Sequence, residues 1–449
     1  MAHTAVDHAM TSGPLNREFT RFVVPTVVGM LAVSSAGIVD GIFVGNFVGA
    51  TALASVNLVV PLLALVFGIL IMLTVGSAVI AGKLLGEGRV RRASDVFTKT
   101  IIVVLAFLIG MAALTLLFPQ QLATLLGARG STLQMSADYL WVIAWFFPAF
   151  GLGILANQFV RVDGRPGFAL WGMVCISGVN IALDALFIGY LGWGIKGAAL
   201  ATGLAYASGA LVLLFHFLSP LAKLGITRPL GSWRVIWRAV INGFSEFLNE
   251  TSSGLVMFLF NWILMLQLGA TGVAAFTVVS YLFYIGVLVF YGVGEGLTPL
   301  VSVNFGAGKQ DRILAFLARG VGLNLVIGLI LALTLLIGSE HLVGMFLDGD
   351  EHETIALARS MIAIIWPAFL FSGISIALSG YFTGMHCARQ SALIALCRSL
   401  LFPVVLIGLF WSLFGHMGAF YALPVAEALT FLLAIVLYRK QRYQAVIPA

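Results

Sequence analysis

Long apolar runs recur along the whole chain, and they limit the kind of protein that it can form. Segments such as 101–108 and 323–336 are almost continuous in apolar residues, and 61% of the chain is hydrophobic while only 9% is charged. A soluble domain carries about 25% charged residues. A chain of 449 residues with so little charge is therefore expected to fold in lipid, and its 3 cysteines are too few for a disulfide scaffold.

Twelve membrane-spanning segments are predicted from these runs, because each span needs about 20 mostly apolar residues. The runs lack the period-two alternation of β-barrel strands, so the spans are predicted to be helices and the fold all-α. The predicted spans cover roughly 18–41, 54–82, 96–118, 138–160, 168–188, 196–218, 236–266, 272–298, 314–337, 358–382, 391–413 and 417–438.

The basic residues support this number of spans. If both termini lie in the cytoplasm, 21 of the 24 Lys and Arg residues fall on or near the cytoplasmic side, and only Arg129, Lys196 and Arg359 fall outside. Adding or removing one span destroys this distribution. The basic residues therefore act as topology signals at the plasma (inner) membrane, and the net charge of +6 needs no nucleic-acid partner.

An internal repeat divides the spans into two sets of six. Gly49-Ala50-Thr51 reappears as Gly269-Ala270-Thr271 at an offset of 220 residues, and Pro148-Ala149-Phe150 reappears as Pro367-Ala368-Phe369 at an offset of 219. Two six-helix lobes with the same topology are typical of transporters that rock about a central site. The predicted segments are a cytoplasmic tail 1–16, an N-lobe 17–218, a cytoplasmic linker 219–235, a C-lobe 236–438 and a cytoplasmic tail 439–449.

Acidic residues inside the spans are the candidate functional residues, because a charge at mid-membrane costs at least about 2.5 kcal/mol. Away from the span ends the apolar cores contain no Lys or Arg, so these acids are expected to lack a basic partner. They are then expected to be protonated, to bind a cation or to line water. The acids in question are Asp40, Asp184, Glu246, Glu250, Glu295 and Glu427.

Four polar residues of the N-lobe are predicted to lie at similar depth in the outer half of the membrane. Asn180 and Asp184 share one face of the fifth helix, Asp40 ends the first helix, and Thr202 lies about one and a half turns into the sixth. Their oxygens suit a small cation such as Na+, and the two carboxylates can equally share a proton. The plainer alternative for Asp40 is contact with water at the outer surface.

The repeat distinguishes this acid pair from the scaffold. At the repeat offset Asp40 corresponds to Phe260, and Asp184 corresponds to Val405. The pair is therefore present in one lobe only and is not needed to build the fold. A feature that breaks a structural repeat is a functional candidate.

The C-lobe acids and a proline are secondary candidates. Glu246 has cytoplasmic water as its alternative environment, Glu250 lies one turn deeper, and Glu295 lies in a glycine-rich stretch that builds either a broken-helix site or a packing kink. Pro25 interrupts the first helix and is expected to kink it. This helix can then either bend when the charge at Asp40 changes or keep a static kink.

No enzymatic or ATP-binding pattern accompanies these residues. The chain has no Gly-x4-Gly-Lys-Ser/Thr motif and no Gly-x-Ser-x-Gly elbow, and His216, His386 and His416 lack metal-ligand spacing. Neither ATP nor a bound cofactor is therefore predicted.

Several stretches resemble the multidrug and toxic compound extrusion (MATE) family over nearly the whole chain. They are Ile38-Val-Asp40-Gly-Ile-Phe-Val-Gly45, Asn180-Ile-Ala-Leu-Asp184, Gly194-Ile-Lys-Gly-Ala-Ala-Leu-Ala-Thr202 and Val303-Asn-Phe-Gly-Ala-Gly308. The resemblance implies two six-helix lobes in a V. It also implies export of drugs, often lipophilic cations, in exchange for H+ or Na+.

The resemblance also assigns roles to residues. It implies that Asp40, Asn180, Asp184 and Thr202 bind the cation, that Asn157 adds a hydrogen bond, and that Pro25 is the family's helix-1 proline. Another branch of the family has an acid on helix 7, to which Glu250 is similar, and an aspartate on helix 10, where this chain has no acid.

We therefore expect a cation-coupled efflux antiporter that takes its substrate from an apolar cavity between the lobes. One alternative is a lipid-linked precursor flippase of the same superfamily, which needs a more cationic cavity. Another is a polytopic membrane enzyme, which needs a cluster of mid-membrane His, Cys or metal ligands.

Overall fold

The structure, a computed structural model, describes residues 9–344 and 352–446. All regular secondary structure within these residues is helical. Among these described residues, ten helices are long and apolar enough to cross a membrane. Two further pairs of helices, each bent at a short break, raise the number to twelve when each pair is taken as one span. The prediction of an all-α membrane protein with twelve spans is confirmed.

Two of the predicted spans are broken. The fourth span consists of two helices bent by 56°, and the tenth span consists of two helices bent by 52°. Pro148 lies in the first turn of the second helix of one pair, and Pro367 immediately precedes the second helix of the other. Proline cannot continue a preceding helix without clash and loss of a hydrogen bond. The repeated Pro-Ala-Phe motif therefore explains why the bend occurs at equivalent places in both sets of six spans.

Two compact units make up the fold. Unit 1 comprises Met1–Gly243 with Ser302–Gln310, and unit 2 comprises Phe244–Val301 with Asp311–Ala449. The helices that lie in unit 1 are α1 (Ala9–Ser12), α2 (Leu15–Phe43), α3 (Ala50–Gly86), α4 (Val90–Leu117), α5 (Pro119–Leu125), α6 (Ser131–Ala144), α7 (Phe147–Val162), α8 (Pro166–Asp184) and α9 (Gly194–Leu218).

Unit 2 contains the last six spans, apart from the two ends of α10. Its helices are α10 (Arg234–Gly306), α11 (Gln310–Gly344), α12 (His352–Ile365), α13 (Ala368–Gly384), α14 (Ala388–Leu396) and α15 (Phe402–Val446). Helices α10 and α15 each hold two spans, separated at Gly269 and at Gly415.

Glycines of the repeat mark the breaks between consecutive spans. Gly49 and its repeat partner Gly269 have φ values of 110° and 60°, and Gly194 and its partner Gly415 have φ values of 60° and 70°. Other residue types rarely adopt these angles because the Cβ atom clashes with the backbone. The matched glycines are thus needed where one span ends and the next begins.

Helices α8 and α9 approach closely in unit 1 through small residues. A Cβ atom added to Gly172 would lie 2.5 Å from the Leu213 side chain, and one added to Gly209 would lie 2.3 Å from Ile176. Such small-residue contacts hold helices together in lipid, where apolar surface alone gives no driving force. Helix α8 also packs along α2, so the two helices that carry Asp40 and Asp184 are neighbours.

The segment predicted as a linker, 219–235, is fastened to unit 1. The backbone N–H of Lys223 donates to both carboxylate oxygens of Asp163 at 3.1 and 3.2 Å, and Asp163 Oδ2 lies 2.7 Å from His216 Nε2. Asp163 and His216 are both buried. This pair therefore holds the first part of the linker at the end of α7.

Two charged residues of α4 hold the later part of the linker. Lys99 and Asp95 form a buried ion pair at 2.8 Å. Asp95 Oδ1 accepts a hydrogen bond from the N–H of Leu230 at 2.6 Å, and the Lys99 ammonium donates to the carbonyls of Leu230 and Ser232. Each buried charge is thus satisfied by its partner and by linker backbone.

Candidate cation-coupling site

Asp40 and Asp184 lie where two neighbouring helices change their winding. Asp40 is in the last turn of α2, which continues as a π-helical segment, Val44–Val48. Asp184 is the last residue of α8, which continues as a second π-helical segment, Ala185–Tyr190. Hydrogen bonds from Gly49 N to Val44 O at 3.0 Å and from Leu191 N to Leu186 O at 2.8 Å show the wider turns. Such turns are frequent at functional sites.

The two carboxyl groups are neighbours. Asp40 and Asp184 lie close enough to interact electrostatically. Two carboxyl groups can form a hydrogen bond with each other only when one of them is protonated, because ionised carboxylates only accept. A shared proton or a small cation would relieve the repulsion between the two groups when both are ionised.

The surroundings of Asp40 and Asp184 offer few hydrogen bonds or basic side chains that could stabilise negative charge on the two carboxyl groups. Asp184 is 0% exposed, and both of its oxygens and Oδ1 of Asp40 are buried without a hydrogen bond from an N–H or hydroxyl group of the described residues. Within the described residues, no Lys, Arg or His forms an ion pair with Asp40 or Asp184. Two buried like charges in contact are unstable unless a proton or cation is bound.

Asn180 on α8 and Thr202 on α9 are the other two residues predicted for this site. Asn180 lies one turn before Asp184 and is 6% exposed, and its Nδ2 atom is buried with no hydrogen-bond partner within the described residues. Thr202 is half-buried and its hydroxyl is hydrogen-bonded to the hydroxyl of Tyr139. Carboxylate, amide and hydroxyl oxygens are the ligands that hard cations prefer.

Tyr139 is a member of this group that sequence reasoning missed. It lies on α6, is 4% exposed, and is close enough to Asp40 and Asp184 to interact with both electrostatically. The only sequence signal was its place at the outer end of the fourth span. There a tyrosine is usually an interface residue, so its contact with Thr202 follows only from how α6 packs against α9.

Asn157 and Pro25 lie elsewhere in unit 1. Asn157 is buried on α7, where its Nδ2 donates to the Ala169 carbonyl at 3.1 Å and its Oδ1 accepts from Arg161 Nη2 at 2.9 Å. Ala169 and Asn180 are separated by about 16 Å along α8. Pro25 lies inside α2, which continues through it, about 22 Å along the helix from Asp40. The structure does not bring either residue to the acid pair.

Unit 2 contains a different arrangement of acids. Glu427 forms two contacts with Arg398, at 3.1 Å to Nη2 and 3.2 Å to Nε, and both side chains are 8% exposed. Arg398 Nη1 also donates to the Tyr291 hydroxyl at 2.7 Å. The expectation that the spanning acids lack a basic partner is therefore wrong for Glu427. Arg398 lies near the beginning of its span, and a π-helical segment, Cys397–Leu401, carries it where it meets Glu427 of α15.

The remaining acids of unit 2 form one electrostatic group. Glu246, Glu250 and Glu295 are close enough to interact with one another. Glu246 accepts weak hydrogen bonds at 3.4 Å from Asn249 Nδ2 and from Ser245 Oγ. Glu250 is exposed and Glu295 is partly buried. No group of three or more His, Cys, Asp or Glu suited to a metal ion occurs among residues 9–344 and 352–446.

A known protein family matches each half of the internal repeat separately. The sequence model of the MatE family matches residues 25–186 and again residues 246–407, so the second match begins 221 residues after the first. The chain is 25% identical over 429 residues to the multidrug export protein MepA of Staphylococcus aureus strain MSSA476, covering 94% of this chain and 93% of that protein.

Solved structures show the same fold. An outward-facing multidrug resistance MATE family transporter of the MOP superfamily has a TM-score of 0.90 at 21% identity, covering 98% of this chain and 99% of that one. A MOP superfamily transporter from Pyrococcus furiosus has a TM-score of 0.88 at 20% identity, covering 96% and 97%, and is described as having a binding pocket of reversed polarity that suggests a different function.

The family match covers well over half of the chain and both sets of six spans. The family consists of membrane transporters rather than enzymes. The chain belongs to the MATE family of multipass membrane transporters.

Proposed function

We propose that this transporter is a cation-coupled multidrug efflux antiporter whose coupling ion, H+ or Na+, binds at Asp40, Asn180, Asp184 and Thr202. The observation that carries the proposal is the close approach of two carboxyl groups, Asp184 buried and Asp40 half-buried, that form no ion pair with a basic side chain among the described residues. A site of this kind stores one positive charge from outside the protein. It is therefore suited to an ion that arrives and leaves in each transport cycle.

The same residues accommodate either ion. A proton is held between the two carboxyl groups, and its loss leaves two like charges in contact within the membrane. Sodium is held by carboxylate oxygens together with the amide oxygen of Asn180 and the hydroxyl of Thr202. Tyr139 fixes the Thr202 hydroxyl through its hydrogen bond.

Coupling requires that the ion binds two conformations unequally. The acid pair joins the ends of α2 and α8, so a change in its charge alters the preferred packing of these helices. A state with a bound ion has lower affinity for the substrate, and by linkage bound substrate lowers the affinity for the ion. Ion uptake from outside thus releases the drug outside.

The proposed substrates are lipophilic, often cationic, small molecules. The relative MepA is named a multidrug export protein. Phe, Trp and Tyr make 12% of this chain, and aromatic walls bind flat cations with little geometric selectivity.

The proposed setting is the bacterial plasma membrane, with both termini in the cytoplasm and with lobes and linker bounded as the sequence predicts. The bacterial relatives support the membrane, and the distribution of basic residues supports the orientation. Fusing green fluorescent protein to the C-terminus tests the orientation, because this protein does not become fluorescent when it is exported unfolded. A dark fusion of normal abundance contradicts the proposal.

The coupling site is tested in liposomes with purified protein. A pH gradient and a sodium gradient are imposed separately, and transport of a fluorescent lipophilic cation is followed. Asp40→Asn and Asp184→Asn are each expected to reduce gradient-driven transport by at least about tenfold, since 1.4 kcal/mol of lost coupling corresponds to a factor of ten. Asp311→Asn makes the same chemical change at an exposed position and serves as the control.

Normal gradient-driven transport in both Asp variants contradicts the N-lobe site. The gradient that drives wild-type transport identifies the ion. A lipid-linked precursor flippase is the alternative function, and movement of a lipid-linked pyrophosphate across the liposome membrane, without drug transport, supports that alternative.

A further inference from the structure

A groove at the beginning of α2 and α8 is not used by the proposed transport cycle. It encloses about 420 Å³ and lies at the opposite end of these helices from Asp40 and Asp184. Its lining is basic at one end and apolar at the other. The lining residues are Arg21, Pro25, Arg165, Gly167, Phe168 and Trp171.

Two arginines supply the basic end. Arg21 is 43% exposed, and it lies 3.3 Å from the buried carboxylate of Glu18 while its Nη2 donates to the Gly164 carbonyl at 2.8 Å. Arg165 is partly buried and has no ion pair among the described residues. Asp163 is near in sequence, but its oxygens are taken by His216 and the Lys223 N–H. The basic end thus has one more positive than negative charge.

Three side chains supply the apolar end. Phe168 and Trp171 are three residues apart and share a face of α8, and Pro25 lies one turn beyond Arg21 on α2. Trp171 is 67% exposed. Gly167 leaves space in the wall, because a Cβ atom added there would meet nothing within 4 Å. Exposed tryptophan is typical of the membrane interface, where lipid headgroups meet acyl chains.

We propose that this groove binds an anionic phospholipid, with its headgroup phosphate on Arg21 and Arg165 and its upper acyl chains against Pro25, Phe168 and Trp171. Guanidinium groups bind phosphate with paired hydrogen bonds. With the predicted topology the groove faces the cytoplasmic leaflet, where anionic lipids attract basic residues. The amphipathic lining distinguishes this ligand from free phosphate, which has no use for the aromatic side chains.

A lipid in this groove touches both helices that carry the acid pair. It contacts α2 at Pro25, where the helix lacks a backbone hydrogen bond and bends most easily. An occupied groove therefore holds the beginnings of α2 and α8 together and opposes movement of α2. Binding itself does not depend on the transport proposed above, so the two proposals fail separately.

Native mass spectrometry of the detergent-purified protein tests the site, with phosphatidylglycerol and phosphatidylcholine titrated in turn. Wild-type protein is expected to retain phosphatidylglycerol in preference to phosphatidylcholine. Arg21→Gln with Arg165→Gln is expected to weaken phosphatidylglycerol binding by about tenfold, from the loss of two lipid-facing charges. Arg91→Gln with Arg92→Gln removes the same charge from exposed positions outside the groove and is expected to bind as wild type.

Further measurements test the apolar end of the groove and distinguish a lipid from free phosphate. Trp171→Ala retains both arginines and is expected to weaken phosphatidylglycerol binding by a smaller factor, whereas 10 mM inorganic phosphate, a test concentration, is expected not to compete. Arg165→Gln alone replaces the double variant if that one does not fold. Unchanged lipid binding in the groove variants, an equal loss in the Arg91/Arg92 control, or displacement by inorganic phosphate each overturns the proposal.

Discussion

The acids of the two units have opposite surroundings. In unit 1, Asp184 contacts a second carboxyl group and has no ion pair among the described residues. In unit 2, Glu427 is held by two hydrogen bonds from Arg398, which also binds the Tyr291 hydroxyl. Both acids are buried in spanning helices. We therefore regard an acid in the membrane as a candidate for binding a transported ion only where no basic side chain of the protein pairs with it.

The two arrangements have different energetic consequences. A buried acid with a resident cation has a constant charge and stabilises one packing of its helices. A buried acid pair without one changes its charge when an ion enters, and it can therefore bias one packing over another. The three variants below test this contrast, in order of decreasing expected effect.

Removing the cation from unit 2 should have the largest effect. Arg398→Ala leaves Glu427 buried without its partner, and we expect a loss of about 3–5 kcal/mol in the free energy of unfolding. The melting temperature of the detergent-purified protein measures this loss. Arg359→Ala breaks an exposed pair with Glu340 at 3.6 Å and should cost no more than about 1 kcal/mol.

A double variant separates charge from packing in this experiment. Arg398→Met with Glu427→Met replaces the pair by apolar side chains of similar size and should restore most of the lost stability. Wild-type stability in Arg398→Ala would show that the ion pair does not stabilise unit 2.

Adding a cation to unit 1 should convert its acid pair into the arrangement of unit 2. Lysine at position 180 lies one turn from Asp184, the spacing at which Asp95 and Lys99 already pair at 2.8 Å in this chain. We expect Asn180→Lys to reduce gradient-driven transport by about tenfold or more, because a resident charge competes with the coupling ion. Transport into liposomes is the measurement, and the melting temperature confirms that the protein is folded.

Asn180→Leu is the matched control for this variant. It removes the amide without adding charge and should retain more transport than Asn180→Lys. Equal transport in the two variants contradicts the role of the added charge, and wild-type transport in Asn180→Lys contradicts the site.

Tyr139→Phe should have the smallest effect. It removes the hydroxyl that bonds to Thr202 but leaves the acid pair intact. Loss of one such hydrogen bond is worth about 0.5–1.5 kcal/mol, so we expect ion affinity to fall by about two- to tenfold. The ion concentration at half-maximal transport measures this affinity. Tyr190→Phe, at an 83% exposed position, should leave the ion affinity unchanged. An equal shift in both variants excludes Tyr139 from the site.

Much of the scaffold was predictable because its signals are local. Twelve apolar runs of sufficient length, a repeat offset of about 220 residues and matched prolines and glycines predict two sets of six helices. Acids inside the spans could be recognised as candidate functional residues in both units, because a charge inside a span is costly wherever it occurs. Asp40, Asn180, Asp184 and Thr202 could be grouped because their depths follow from span boundaries alone.

Other features could not be read from local patterns. The sequence showed Tyr139 and Arg398 as residues near span ends, and nothing near them in the chain indicates Thr202 or Glu427. The wider π-helical turns beside Asp40, Asp184 and Arg398 also lack a sequence signal. The attachment of segment 219–235 to Asp95, Lys99 and Asp163 depends on side chains that lie more than 55 residues earlier in the chain.

The solvent, the number of spans and the internal repeat could be read from the amino-acid sequence alone. The first two depend on the free energy of placing a side chain in lipid or water, which is a property of the residue and its near neighbours. The pairing of the charged residues, by contrast, follows from how the helices pack. Asp40 and Asp184 are brought together by the packing of α2 on α8, and Glu427 is neutralised because α15 places it beside Arg398. Helix packing fixes these pairings, and it depends on the whole set of contacting surfaces rather than on any one segment.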